Sequence, residues 1–330
     1  MKIIILHFIS LTCLALSSSA QDCNEELLAQ KPGTWKGSQQ GFIRNVTAAD
    51  LTKEKAVIAA IHQMVSANYK PTGCEVSYSK VFGKHLPAAK IWISDPLQYV
   101  MYILKYMCDV NGTDKSKYFV QISTSTTVNI YANSIGWIGG LYAATLPDDE
   151  PRGYLKMKNK PQIRDGFYYS EETLGDSTKP KFVKEYQWLI TYNDTLPFMY
   201  VSRKEYLLLT KIKLEKTIQQ AGSSAAYYDK YMNNINNYLK KPESELSNPA
   251  ICMWNDEERF NGFVEEGTKG SFYAIKPNTG YYHSKLPKSV PQFFTVVYKV
   301  VHGDPVYDEN ISNIQKAVDF ESLKNMLGTE

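Results

Sequence analysis

The chain has 330 residues, with 37 basic and 34 acidic side chains and a formal charge of +3. At 43% hydrophobic and 22% charged residues it has an ordinary globular composition, long enough for one large domain or two packed ones. A near-neutral balance without a concentrated basic stripe excludes nucleic acid as an expected partner. Tyrosine is the one excess, at 24 residues, and it suits wet binding surfaces and sheet faces alike.

Residues 1–20 read as a signal peptide. Lys2 supplies the charge, Ile3 to Leu16 the apolar run, and Ser17-Ser18-Ser19-Ala20 the small residues before Gln21. The apolar run is shorter than the roughly 20 residues that span a bilayer. No later stretch is apolar enough, so the expectation is a secreted or periplasmic protein whose mature chain has no transmembrane segment. Cys13 leaves with the leader. Cys23, Cys74, Cys108 and Cys252 remain as disulfide candidates, which allow three pairings in an oxidising compartment. The preferred bridge is Cys74–Cys108, because both cysteines flank one helix-and-strand unit. No C-x-x-C pair occurs, so neither a metal site nor a cofactor is expected.

In chain order, residues 21–44 form an extended lead-in. Thr47 caps a helix that runs to Asn68, with apolar positions recurring at helical spacing. A strand follows over Glu75–Phe82. Asp95-Pro96 predicts a helix start, with Leu97, Val100, Met101, Leu104 and Met107 as its apolar face and Asn111-Gly112 as its stop. Phe119–Ile122 and Thr127–Ala132 read as strands, while Ser134–Leu146 fits a helix and a buried strand equally. Pro147 to Gly153 is the clearest loop and sets the boundary between an N-terminal region, 21–146, and a C-terminal region, 147–330.

Beyond that loop, strands are expected at Tyr154–Met157, Gln162–Tyr169 and Phe182–Thr191. Ser202 and Glu205 form a capping box that opens a long helix near 202–240, with an interruption at Ala221-Gly222-Ser223. Strands Phe272–Ile275 and Phe293–Val301 precede a helix from Ser312 to Leu327. Helices and strands come in mixed blocks without a βαβ rhythm, which predicts an α+β fold with mostly antiparallel sheet.

The phrases Thr191-Tyr192-Asn193-Asp194-Thr195-Leu196-Pro197-Phe198, with the capping box after it, and Leu286-Pro287-Lys288-Ser289-Val290-Pro291-Gln292-Phe293 resemble phrases in uncharacterised secreted bacterial proteins. The resemblance covers a small part of the chain. It implies a bacterial envelope or secreted setting and carries no activity.

Motifs for known chemistry fail one by one. Ser77-Tyr78-Ser79-Lys80 matches the S-x-x-K of penicillin-recognising enzymes, and Tyr131-Ala132-Asn133 stands in the right order. That chemistry needs the serine at a helix start, and alternation here predicts a strand. His62, His85, His283 and His302 are scattered singly, and His302-Gly303-Asp304 reads first as a turn. The acidic pairs Asp148-Asp149, Glu171-Glu172, Glu257-Glu258 and Glu265-Glu266 read as solvated surface, because adjacent side chains diverge. Asn45, Asn111, Asn193 and Asn310 each begin N-x-S/T, a pattern of exposed turns.

The candidate ligand-binding residues are Trp137, Asp148, Asp149, Arg152 and Tyr154, a Pro-flanked acidic loop beside aromatic rings that suits a sugar, a peptide or a calcium ion. The functional expectation is a non-enzymatic binding or envelope-associated protein, with a glycan, peptide or envelope component as partner. One alternative is a hydrolase of polysaccharide or peptide, with carboxylates from distant segments. The other is a structural interaction protein.

Overall fold

Asn24 opens the first ordered element: its side chain accepts from the amides of Glu26 and Leu27 and caps helix α1, Glu25–Ala29. The structure is a computed structural model that describes residues 22–40, 46–82, 94–134, 154–158, 160–192, 194–254 and 259–329. Strand β1, Thr34–Gln40, follows where an extended lead-in was expected. Thr47 caps α2, Ala48–Asn68, which buries Ile58, Ile61 and Val65 along one face. Next come β2 (Cys74–Val81), β3 (Leu97–Cys108), β4 (Tyr118–Val120) and β5 (Thr127–Ala132).

Strand β3 corrects the expected helix. Leu97, Val100, Met101, Leu104 and Met107 satisfy helical spacing, but Leu97, Tyr99, Met101 and Ile103 also alternate, and these four reach the core. A central strand carries apolar residues on both faces, so its pattern contains a helix-like subset. Pairing with β2 on one side and β5 on the other decides for the strand.

The remaining elements are β6 (Leu155–Met157), β7 (Gln162–Arg164), β8 (Phe167–Leu174), β9 (Phe182–Ile190) and β10 (Phe198–Tyr200). Helix α3 (Arg203–Ala221), a 3-10 segment (Gly222–Tyr228) and α4 (Asp229–Tyr238) follow. After them lie α5 (Glu243–Leu246), β11 (Ile251–Met253), β12 (Ser271–Pro277), β13 (Phe294–His302), α6 (Pro305–Ala317) and α7 (Phe320–Asn325).

The single strand expected over Gln162–Tyr169 is a hairpin. Asp165 and Gly166 both have positive φ and make the two-residue turn between β7 and β8, the conformation whose twist matches flanking strands. The expected final helix is two helices. Asp304 caps α6 with Pro305 in its first turn, and Asp319 caps α7.

With about 32% helix and 31% strand in mixed, mostly antiparallel sheets, the fold is α+β, as expected. The main sheet runs β1-β2-β3-β5-β13-β9-β8-β7, with β4 added to β3; among the described residues, only β1 and β2 pair in parallel. It draws strands from both sides of the expected boundary at 147, which itself lies outside the described residues. A smaller sheet gathers β6, β10 and β11 around β12. The main core lies between the main sheet and α2, α6 and α7. On the opposite face, Leu189 and Phe293 pack against the smaller sheet, whose far side is covered by α3 and α4. Four layers result, and the cleft described below opens between the inner two.

Candidate functional site

Register across the main sheet brings the site together. Glu172 of β8 lies directly opposite Glu185 of β9, Glu185 opposite Lys299 of β13, and Lys299 opposite Thr127 of β5. Residues opposite one another in a sheet share a face, so the four side chains form one polar row. The next row holds Ser170, Gln187, Val297 and Asn129; the one after it contains Leu189. At the Leu189 row the two sheets are packed together by apolar side chains. At the Glu185 row they part.

The gap is a cleft with two adjoining compartments of about 660 and 800 Å³, which share Lys158, Gly270 and Ser271. The Glu172–Glu185–Lys299–Thr127 row floors the first compartment, and Trp254 stands on its facing wall. Lys158, just past β6, pairs with Glu172 and ties the smaller sheet's side of the cleft to the main sheet. Trp254 is 40% exposed, held edge-on by Phe272 with ring centroids 5.7 Å apart, and Lys156 sits 4.7 Å from its ring. The second compartment is lined by the β7–β8 hairpin, including Arg164 and Tyr169, and by the 266–270 loop. There Glu171 pairs with Lys184 at 2.8 Å, and hydrogen bonds from Lys184 and Tyr169 hold its carboxyl below the usual range.

Glu185 behaves in the opposite way. Burial raises its pKa, the carboxylate of Glu172 adds to the rise, and Gln187 and Lys299 only partly offset it. A carboxyl whose folded pKa lies above its unfolded one favours folding while protonated, and that contribution fades as pH rises from 4.5 through the folded value. Glu185→Gln should therefore melt at a higher temperature than wild type at pH 7, with the gap closing below pH 4.5 in a calorimetric pH series. Equal melting temperatures across that series would remove the raised pKa.

In comparisons with known proteins, no family model, no curated protein and no solved structure matches the chain.

Of the acidic pairs read as solvated surface, Glu171-Glu172 lines the cleft, with Glu171 in one compartment and Glu172 in the other. Trp137, Asp148, Asp149 and Arg152 lie outside the described residues, as do His85 and the pair Glu257-Glu258. Tyr154 is described and is 2% exposed, its ring packed on Tyr206 and Phe272 in the core under α3. It is a packing residue, not part of an open ligand surface. Ser77 and Lys80 lie on strand β2, so the S-x-x-K match has no helix start beneath it. Among the described residues, no group of three His, Cys, Asp or Glu is placed to hold a metal ion, and no helix is long and apolar enough to cross a membrane.

The preferred Cys74–Cys108 bridge is corrected to Cys23–Cys108. Cys74 pairs in register with Lys105, three residues short of Cys108, and its thiol points into the main core. Cys108 instead meets Cys23 beside α1. Cys74 and Cys252 form no disulfide and are buried. Asn310 was read as an exposed turn and is buried on α6, whereas Asn111 does lie exposed in a turn.

His62 is a satisfied half-buried residue. It lies 2.8 Å from the Tyr99 hydroxyl and stacks on Tyr78, and burial lowers its pKa, with Lys80 adding to the effect. His302 does not pair with Asp304, which caps α6; its Nδ1 lies 2.8 Å from Asp308. Two signals in the sequence were available and unread: Asp165-Gly166, which forms the hairpin flanking the cleft, and Asp304-Pro305, which starts α6 four residues before Asp308. The Glu172–Glu185 pair had no local signal, because only register makes it.

Proposed function

We propose that this chain is a non-enzymatic, extracytoplasmic binding protein whose ligand, a glycan chain, lies along the cleft between the two sheets. The observation that carries the reading is an exposed indole, Trp254, facing a floor of carboxylate, ammonium, hydroxyl and amide groups. A sugar ring offers an apolar C–H face for stacking and a rim of hydroxyls that both donate and accept; the cleft supplies a partner for each. The charged row contains both signs, which favours a hydroxylated ligand over a strongly charged one. The extracytoplasmic setting is supported by the Cys23–Cys108 bridge, of a kind that persists in oxidising compartments, and by the leader-like first 20 residues.

The test is a glycan array on residues 21–330, followed by calorimetric titration of the best oligosaccharide. Trp254→Ala should weaken binding at least tenfold, a loss of about 1.4 kcal/mol. Unchanged affinity in that variant would remove the cleft as the site. The double variant Asp149→Ala/Arg152→Ala tests the sequence-read loop separately.

A second reading, hydrolysis of the bound glycan, is favoured by one observation. Glu172 and Glu185 are cross-strand neighbours, a placement that sets their Cβ atoms roughly 5 Å apart and so puts two carboxyls on one cleft floor, the kind of pair that glycosidases use. Their surroundings differ: Glu172 is ion-paired with Lys158, while Glu185 keeps its proton to higher pH. Release of reducing ends by wild type, abolished in Glu185→Gln, would establish this reading over simple binding.

A further inference from the structure

A second cavity, of about 520 Å³, lies on the other face of the main sheet, between β9, β13 and helices α6 and α7. Its walls are aromatic. Trp188 and Phe320 meet with ring centroids 5.6 Å apart, Phe167 abuts Phe320 edge-on at 5.3 Å, and Tyr186 stacks beside Trp188.

Four polar groups in the lining are fixed or unspent. Asp308 accepts from the Gly303 amide at 3.1 Å and lies 2.8 Å from Nδ1 of His302. A carboxylate only accepts, so Nδ1 carries the proton and, in the neutral ring, Nε2 accepts from the Tyr186 hydroxyl at 2.9 Å. Burial raises the pKa of Tyr186, which keeps that hydroxyl protonated and leaves its oxygen lone pairs for another donor. Tyr298 also lines the cavity, and its buried hydroxyl has no partner among the described residues. Buried hydroxyls without a partner are uncommon and ask for an explanation.

Charge narrows the ligand. Arg164 and Asp165 at the rim pair with each other at 3.8 Å. An added cation would compete with Lys184, already 5.0 Å from the Tyr186 ring, and with Lys324, 5.7 Å from Phe167. An added anion would meet Asp308 and Asp165. We propose that this cavity is a second binding site, independent of the inter-sheet cleft, for a single neutral hexopyranose ring. The ring's C–H face lies on the aromatic wall, and its hydroxyls reach the Tyr186–His302–Asp308 chain. The volume is ample for a ring of that size.

The experiment is saturation-transfer NMR and calorimetric titration of residues 21–330 with glucose, galactose and N-acetylglucosamine, with glucuronate and glucosamine as charged controls. At least one neutral sugar should bind saturably, and both charged sugars should bind more weakly. Ser312→Trp, a change on α6 at the cavity lining, should weaken binding at least tenfold, as should His302→Ala. Because His302→Ala also removes a structural contact, each variant is first matched to wild type by circular dichroism, and Ser312→Trp alone decides if His302→Ala unfolds. The component of single-sugar binding that Ser312→Trp removes should persist in Trp254→Ala. The proposal is overturned if no neutral sugar binds, if Ser312→Trp binds as tightly as wild type, or if a charged sugar binds best. Binding lost in Trp254→Ala but kept in Ser312→Trp would assign the sugar to the cleft and equally end the proposal.

Discussion

Asn310→Leu should cost about 3–5 kcal/mol of stability, because it strands several buried polar groups at once. Asn310 is 1% exposed on α6. Its Oδ1 accepts from the Tyr69 hydroxyl at 2.6 Å and the Thr72 amide at 3.1 Å, while Nδ2 donates to the Thr72 carbonyl at 2.7 Å and the Val306 carbonyl at 2.6 Å. One side chain thereby ties α6 to the end of α2 and to the turn that leads into β2. Leucine has similar bulk and none of these bonds, so the half-buried Thr72 carbonyl loses this partner, and the Tyr69 hydroxyl and Thr72 amide keep only the weakly accepting sulfur of Cys74. Each such group costs about 1–3 kcal/mol. Urea denaturation measures the loss directly. A second variant, Tyr69→Phe, removes one stranded hydroxyl, so the double variant should lose less than the sum of the two singles. A loss under about 1 kcal/mol for Asn310→Leu would show that the network contributes little.

Removing the Cys23–Cys108 bridge should have the other large effect. The bridge joins residues 85 apart in sequence, and closing a loop of that length restricts the unfolded chain by about 4–5 kcal/mol in the chain-entropy model. Denatured chains retain some structure, so Cys23→Ser/Cys108→Ser should cost about 2–4 kcal/mol in practice. A thiol count checks the pairing. On residues 21–330, a thiol reagent should label nothing in the native protein and two cysteines after unfolding without reductant. Those two are Cys74 and Cys252, both buried; burial pushes the Cys74 thiol up to about 12, which keeps it protonated and unreactive. Four labelled thiols would mean that the bridge does not form.

The bridge and the asparagine act at opposite ends of one argument about the site. Asn310 holds α6, which carries Asp308 and one wall of the helix-side cavity. The bridge holds α1 against the end of β3, the strand next to β5 on the cleft face. Stability lost at either place should reach ligand binding only through the population of folded protein. Titrations on these variants should therefore show fewer binding sites at unchanged affinity, a distinction calorimetry makes.

Much of the fold was legible wherever a local rule operates. Thr47 and Ser202 cap α2 and α3 as their sequences indicate, and β5, β9 and β13 follow from β-branched and aromatic runs. The break after Ala221 was marked by Gly222, which has positive φ. Strand β3 was not legible, because a strand with apolar residues on both faces contains a subset at helical spacing. Cysteine pairing was not legible either, since four cysteines allow three pairings and only the path of the chain selects one.

The sequence by itself determined the α+β class, the main helix caps and most strands, because these depend on residues within a few positions of each other. Tertiary structure alone decided which strands are neighbours. That choice put Glu172 against Glu185, Lys299 beside Glu185, and Tyr186 within reach of His302. Such pairs are set by strand order and register across distant segments, and no periodicity in a single segment encodes them.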